Sequence, residues 1–66
     1  MSFKKWRRQT HSLETLLLKL FEEVSEIANE VTDSTTKGTK ISRRNVNSEI
    51  SHARFLLDEI ERRVNK

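Results

Sequence analysis

Among the carboxylates and imidazoles of this chain of 66 residues, which are the kinds of side chain that hold cations or move protons, five fall in two groups with suggestive spacing. Glu22, Glu23 and Glu26 lie in one segment, and Glu49 and His52 lie in another. Glu23 and Glu26 are three residues apart, as are Glu49 and His52, so each pair would share one face of a helix. Carboxylates gathered in one place repel each other and resist being stripped of water, unless a cation sits between them. Oxygen donors of this kind suit Mg²⁺ or Mn²⁺, and facing helices are where bundles build such sites. Glutamate is equally at home on a solvated helix face, paired with lysine or arginine. The chemistry therefore depends on whether the two segments meet.

The elements that would bring them together are legible in the apolar pattern. Proline is absent and glycine occurs once, at Gly38, so the main helix breakers are nearly missing. Leu13, Leu17, Leu20, Val24, Ile27 and Val31 alternate in steps of four and three, the a/d pattern of a heptad. Val46, Ile50, Ala53, Leu57, Ile60 and Val64 repeat it. Between them, Asp33 to Lys40 is polar and holds the glycine, which makes it a loop by composition. Ser42 is an N-cap candidate for the second helix, with Asn45 and Asn47 as alternatives. The pattern predicts a single all-α domain over 1–66: a helix over about 3–33, a loop over about 34–41 and a helix over about 42–64. Whether the stretch from Ser2 to Thr10 joins the first helix or stands apart is left open by the pattern.

With Leu17, Val24 and Val31 at a, Glu23 falls at g and Glu26 at c. With Ile50, Leu57 and Val64 at a, Glu49 falls at g and His52 at c. In an antiparallel pair the two g flanks face each other, and both pairs lie about equally far from Gly38. Closing the hairpin should bring three carboxylates and an imidazole together beside the seam.

Size bears on assembly. A chain this short buries only about 60% of its unfolded surface, so alone it is marginal. It has no cysteine, so disulfides and thiolate metal sites are excluded, and nothing indicates an oxidising compartment. No apolar run approaches the roughly 20 residues needed to span a bilayer. The expectation is a cytoplasmic protein with no membrane partner. Leu16, Leu18, Phe21, Phe55 and Leu56 fall off the two seams, and with Phe3 and Trp6 they are more than a monomer of this size would leave in water. A second hairpin would cover them, giving a four-helix-bundle-type homodimer or homotetramer. The net charge is +3, with Lys4, Lys5, Arg7 and Arg8 clustered at the start. That cluster beside Trp6 could bind phosphates or nucleic acid; a solvated helix start explains it as well and is the reading favoured for nucleic acid.

The residues carry a resemblance. Leu20-Phe21-Glu22-Glu23-Val24-Ser25-Glu26-Ile27 resembles the EExxE motif of the MazG-like, all-α nucleoside triphosphate pyrophosphohydrolases. Glu49-Ile50-Ser51-His52-Ala53-Arg54-Phe55-Leu56-Leu57 resembles that family's ExxD segment and the apolar run after it. Trp6 and Gln9-Thr10-His11-Ser12-Leu13 are similar to its tryptophan and QTHxSL-like stretch. The resemblance covers most of the chain and implies a helical bundle built from dimers or tetramers, with Mg²⁺ held by carboxylates. It implies hydrolysis of a nucleoside triphosphate to the monophosphate and pyrophosphate. Glu23, Glu26 and Glu49 match its metal ligands, and Glu22 matches the extra glutamate beside them, so Glu22 and Glu23 are the catalytic candidates. Trp6, Arg7 and His11 are candidates for the nucleotide. His52 stands where the family has aspartate; its imidazole carries no negative charge and suits Mn²⁺ or Zn²⁺ better than Mg²⁺. The chain also ends soon after the second helix, where larger members continue.

Two function classes follow. One is the metal-dependent hydrolase; the other is a catalytically impaired helical module that binds a protein or nucleotide partner. Position 52 separates them. No phosphate-binding loop, zinc finger or Ser-His-Asp pattern supports other chemistry, and the helices are too long and heptad-like for a DNA-reading helix-turn-helix.

Overall fold

The computed structural model describes residues 3–66; Met1 and Ser2, which open the expected domain, lie outside the described residues. The described residues form three helices, α1 (Phe3–Arg7), α2 (Leu13–Lys37) and α3 (Arg43–Val64). The architecture is all-α. Helices α2 and α3 pack along each other, and the joining turn sends α3 back antiparallel to α2. No described helix is long and apolar enough to cross a membrane.

The first helix is not continuous over 3–33. The chain leaves α1 through two tight turns, Arg8 N–H to the Lys5 carbonyl (3.3 Å) and Gln9 N–H to the Trp6 carbonyl (3.1 Å). Ser12 then takes an extended backbone, and its hydroxyl accepts the Thr15 N–H at 3.2 Å. A serine that satisfies an orphan amide in this way starts a helix rather than continuing one. At its other end α2 runs past 33 to Lys37, through residues that composition assigns to the loop. Thr35 returns its hydroxyl to the Val31 carbonyl at 3.0 Å, so its polar group is satisfied within the helix. Gly38 ends it: φ is 67°, a left-handed conformation that costs other residues about 1–2 kcal/mol. The amides of Gly38 and Thr39 both bond the Ser34 carbonyl. Ser42 caps α3 as expected, accepting the Asn45 N–H at 3.4 Å.

The seam between α2 and α3 is rotated from the expected one. Leu16 and Leu56, placed off the seams by the heptad, are its most enclosed apolar residues, and Leu56 is 0% exposed. Leu13, Leu17, Val24, Val31, Leu57 and Val64, placed in the seams, face outward, and Leu57 is 52% exposed. The d residues Leu20, Ile27, Ala53 and Ile60 keep at least partial cover. In effect the g positions largely replace the a positions: Leu16, Glu23 and Glu30 on α2, and Glu49, Leu56 and Arg63 on α3, are at least partly covered, and Ile50 is the a residue that keeps partial cover. Apolar residues spread over a, d and part of g make an arc wide enough for two contact lines. Periodicity locates such an arc without choosing between them.

The rotation sets a stability test. Leu56→Ala should cost roughly 2–5 kcal/mol in urea denaturation, the range for emptying a packed core position. A loss under about 0.5 kcal/mol would place the contact line elsewhere.

Candidate metal centre

At the level of Glu23 the rotated seam places a carboxylate where a leucine would normally sit. Glu23 is 3% exposed, and its Oε2 is enclosed without a hydrogen-bond partner. Its other oxygen lies 3.7 Å from the Lys19 ammonium, one turn earlier. Across the seam His52 brings Nδ1 to 3.6 Å from Glu23 Oε2. That separation is slightly beyond ordinary hydrogen-bond length.

Glu26, one turn on from Glu23, and Glu49, from α3, complete the group. One carboxylate oxygen of each of Glu23, Glu26 and Glu49 lies within 4.8 Å of the others. Ligands on opposite sides of one ion stand about 4.2–4.8 Å apart at oxygen distances of about 2.1–2.4 Å, so the three span a cation-sized space. The meeting of the two segments expected from the hairpin is present, with Glu23 and Glu49 inside the seam rather than beside it.

Their electrostatics are those of crowded carboxylates. Burial raises the Glu23 carboxyl above its ordinary value, and Glu26 adds to the rise; His52 and Lys19 oppose it. Glu49 is pushed up to about 7, first by desolvation, then by a hydrogen bond with Glu26 and by the charges of Glu26, Glu23 and Glu30. Both shifts favour the protonated acid. A cation would reverse both, because it exchanges repulsion for attraction and fills the vacant valence of Glu23 Oε2. The donor set and the orphaned oxygen fit a divalent ion.

The other expected site residues divide. Glu22 is not drawn into the group; it is largely exposed and pairs with Lys19 at 3.1 Å. Trp6 and His11 are drawn together, their rings stacked 3.9 Å apart, and the His11 Nε2–H donates to the Trp6 carbonyl at 2.7 Å. Arg7 lies over the Phe55 ring at 5.2 Å. Phe3 joins α1 to the acidic group by stacking on His52 at 4.0 Å, with 8° between the planes. It also stacks on Trp6 at 5.7 Å and meets Phe55 edge-on at 5.9 Å. A row of rings, His11, Trp6, Phe3 and His52, thus runs from the α1–α2 turn to the carboxylates. Arg63 ties the same turn to α3 by donating to the His11 carbonyl.

Three contributors carry little sequence signal. Lys19 sits three and four residues before Glu22 and Glu23, a spacing common on any helix, yet its ammonium also lies 5.9 Å from the Phe3 ring and 5.8 Å from that of Trp6. Glu30 accepts the Ser42 N–H at 3.1 Å and so anchors the start of α3. Phe3 is one apolar residue in a basic segment. No family model, curated protein or solved structure matches this chain.

The raised carboxyls fix a pH dependence in the cation-free protein. A group whose folded pKa lies above its unfolded value stabilises fully below the unfolded value, and that contribution is lost as pH rises through the folded one. For Glu49 the window runs from the ordinary 4.5 to about 7, and Glu23 acts in the same direction. With chelator present, the Tm followed by circular dichroism should fall across that window, and Glu49→Gln should flatten the fall. A Tm that does not fall, or a variant that tracks wild type, contradicts the crowding.

Proposed function

We propose that the chain is a minimal MazG-like nucleoside triphosphate pyrophosphohydrolase working as a homo-oligomer. The observation that carries the reading is the convergence of Glu23, Glu26 and Glu49 on one cation-sized space from two helices, around a buried oxygen with no partner. Such a site is costly for a purely structural hairpin, which would be served better by leucine at position 23.

Glu23, Glu26 and Glu49, with His52 beside them, would hold Mg²⁺ or Mn²⁺. Such an ion supplies charge neutralisation of the polyphosphate and a more acidic water. Glu23 and Glu49 orient the oxygens from fixed helical positions, and burial of Glu23 keeps bulk water from that side. Lys19 lies at the edge of the group, where a cationic side chain lowers the energy of charge developing on phosphate oxygens. In the overall step, water adds to the α-phosphorus as the bond to the β-phosphate oxygen breaks, leaving monophosphate and pyrophosphate. Trp6, Arg7 and His11, which connect to the group through Phe3 and Phe55, would meet the base and the phosphates. Glu22 is placed outward and paired with Lys19, which favours a role in holding that lysine over one in proton transfer.

The assembly rests on Leu13, Leu17, Phe21, Val24, Val31, Leu57 and Val64, exposed on the outward face of the hairpin. A second hairpin laid against that face makes the four-helix bundle, and a chain this small needs such support. The lack of cysteine suits a cytoplasmic protein. The second reading, an interaction module with an impaired site, is favoured by one observation: histidine rather than a carboxylate stands at position 52 and leaves the ligand set one negative charge short.

Incubation with mixed nucleoside triphosphates and Mg²⁺ or Mn²⁺ should release pyrophosphate, with at least a hundredfold loss in Glu23→Gln, and light scattering should give twice the chain mass or more. Orthophosphate as the product, or no turnover with either ion, overturns the enzyme. If turnover is absent and association persists, the interaction module replaces it.

A further inference from the structure

From residue 34 to residue 48 the chain carries four cations, Lys37, Lys40, Arg43 and Arg44, and no acid. All four are exposed around the turn that joins α2 to α3. Among the described residues none of them makes an ion pair or a side-chain hydrogen bond, whereas Lys19, Arg62 and Arg63 are each engaged. Lys37 has a local reason for its place, since it ends α2 and a cation suits the negative end of a helix. The other three have none. Arg43 and Arg44 open α3 and Lys40 precedes it, at the positive end of the helix, where cations destabilise and acids are favoured. Helix α2 follows that rule with Glu14 in its first turn, and α3 has no acid in its own. The nearest acids on α2 do not offset the charge: Glu30 accepts the Ser42 N–H, and Asp33 pairs with none of the four.

The same cations border an open cleft of about 530 Å³, lined by Ser34, Thr39, Lys40, Ile41 and Arg43. The left-handed Gly38 and the bond from the Ser34 hydroxyl to the Thr39 carbonyl shape its wall. Lysine, arginine, a threonine hydroxyl and a helix N-terminus are the groups that contact nucleic-acid phosphates without reading the bases. We propose that the α2–α3 turn binds the phosphate backbone of a nucleic acid, without regard to sequence, through Lys40, Arg43 and Arg44 with Lys37 beside them. The phosphates neutralise cations that otherwise oppose the dipole of α3, so the ligand relieves a cost built into the free protein. A membrane surface fits less well, because Ile41 is the one large apolar side chain between Val31 and Val46, and no aromatic accompanies it. Lys37 lies roughly 20 Å from Glu23 along α2, at about 1.5 Å per residue. The turn therefore stands apart from the acidic group, and the proposal holds whether or not that group takes a cation.

The test uses the full chain in chelator and a fluorescently labelled DNA duplex of mixed sequence, followed by anisotropy. Affinity should fall with salt on a log–log slope of about −3 to −4, near 0.9 for each phosphate neutralised. The combined variant Lys40→Gln, Arg43→Gln, Arg44→Gln should bind at least tenfold more weakly. Lys4→Gln with Arg8→Gln, at the other basic segment, should stay within about threefold of wild type. The turn variant should melt at or above the wild-type temperature, because it removes cations from the positive end of α3. A lower melting temperature would show these charges serving the fold and overturns the proposal. So does the absence of binding at about 50 mM salt, a slope near zero in wild type, or a loss that follows the N-terminal variant instead. Tighter binding to vesicles of anionic lipid than to the duplex, at equal phosphate, assigns the turn to a membrane and overturns it as well.

Discussion

A single carboxylate in the seam of a two-helix hairpin governs the rest of this structure. Glu23 occupies a position that the packing of α2 against α3 would assign to an apolar side chain, and it is almost wholly enclosed. The charge is met on one side by Lys19 and on the other by His52, and one oxygen is left without a bond. An ionised group so placed is destabilising unless something neutralises it, and what lies next to it is two further carboxylates. The hairpin has thus given up part of a small core to keep an acidic group at its centre. That sacrifice gives the group its meaning, because a chain this short has little core to spare.

The consequences spread outward from that point. With Glu23, Glu30 and Glu49 along the contact line, the apolar burial within one chain is concentrated near Leu16, Ala53 and Leu56. Much of the remaining apolar surface faces outward. Helix α1 rests against the side of the hairpin through Phe3 and Arg7. It is too short to be stable by itself, and it is held by ring contacts to His52 and Phe55. Phe3 touches the imidazole that faces Glu23, so α1 and the acidic group meet at that ring.

Much of this was legible in the sequence, and the misses have identifiable causes. Two long amphipathic helices, the turn at Gly38, the cap at Ser42 and the meeting of Glu23, Glu26, Glu49 and His52 all follow from heptad arithmetic. The choice of contact line did not. Leucines at 16, 17, 56 and 57 stand side by side, so the period fixes a broad arc, and the buried members prove to be Leu16 and Leu56 rather than Leu17 and Leu57. The break before Leu13 was obscured because Ser12 as a cap looks like any serine until its hydroxyl meets Thr15 N–H. The extension to Lys37 was obscured because Ser34, Thr35 and Thr36 read as loop by type. Lys19 and Phe3 act through contacts between segments far apart in sequence, which no local pattern carries.

The central claim is that the fold keeps its acidic seam for a divalent cation, and unfolding measured with and without that cation tests it most directly. Ligand that binds only the native state stabilises by RT ln(1 + [L]/Kd), so Mn²⁺ at about 100 times its Kd should add roughly 2.7 kcal/mol to the urea stability of chelator-treated protein. Glu23→Gln should abolish the response while leaving the cation-free protein at least as stable as wild type, since it removes a buried charge and keeps the shape. Wild type that unfolds identically with chelator, Mg²⁺ and Mn²⁺, together with a Glu23→Gln protein less stable than wild type without any ion, would contradict the account.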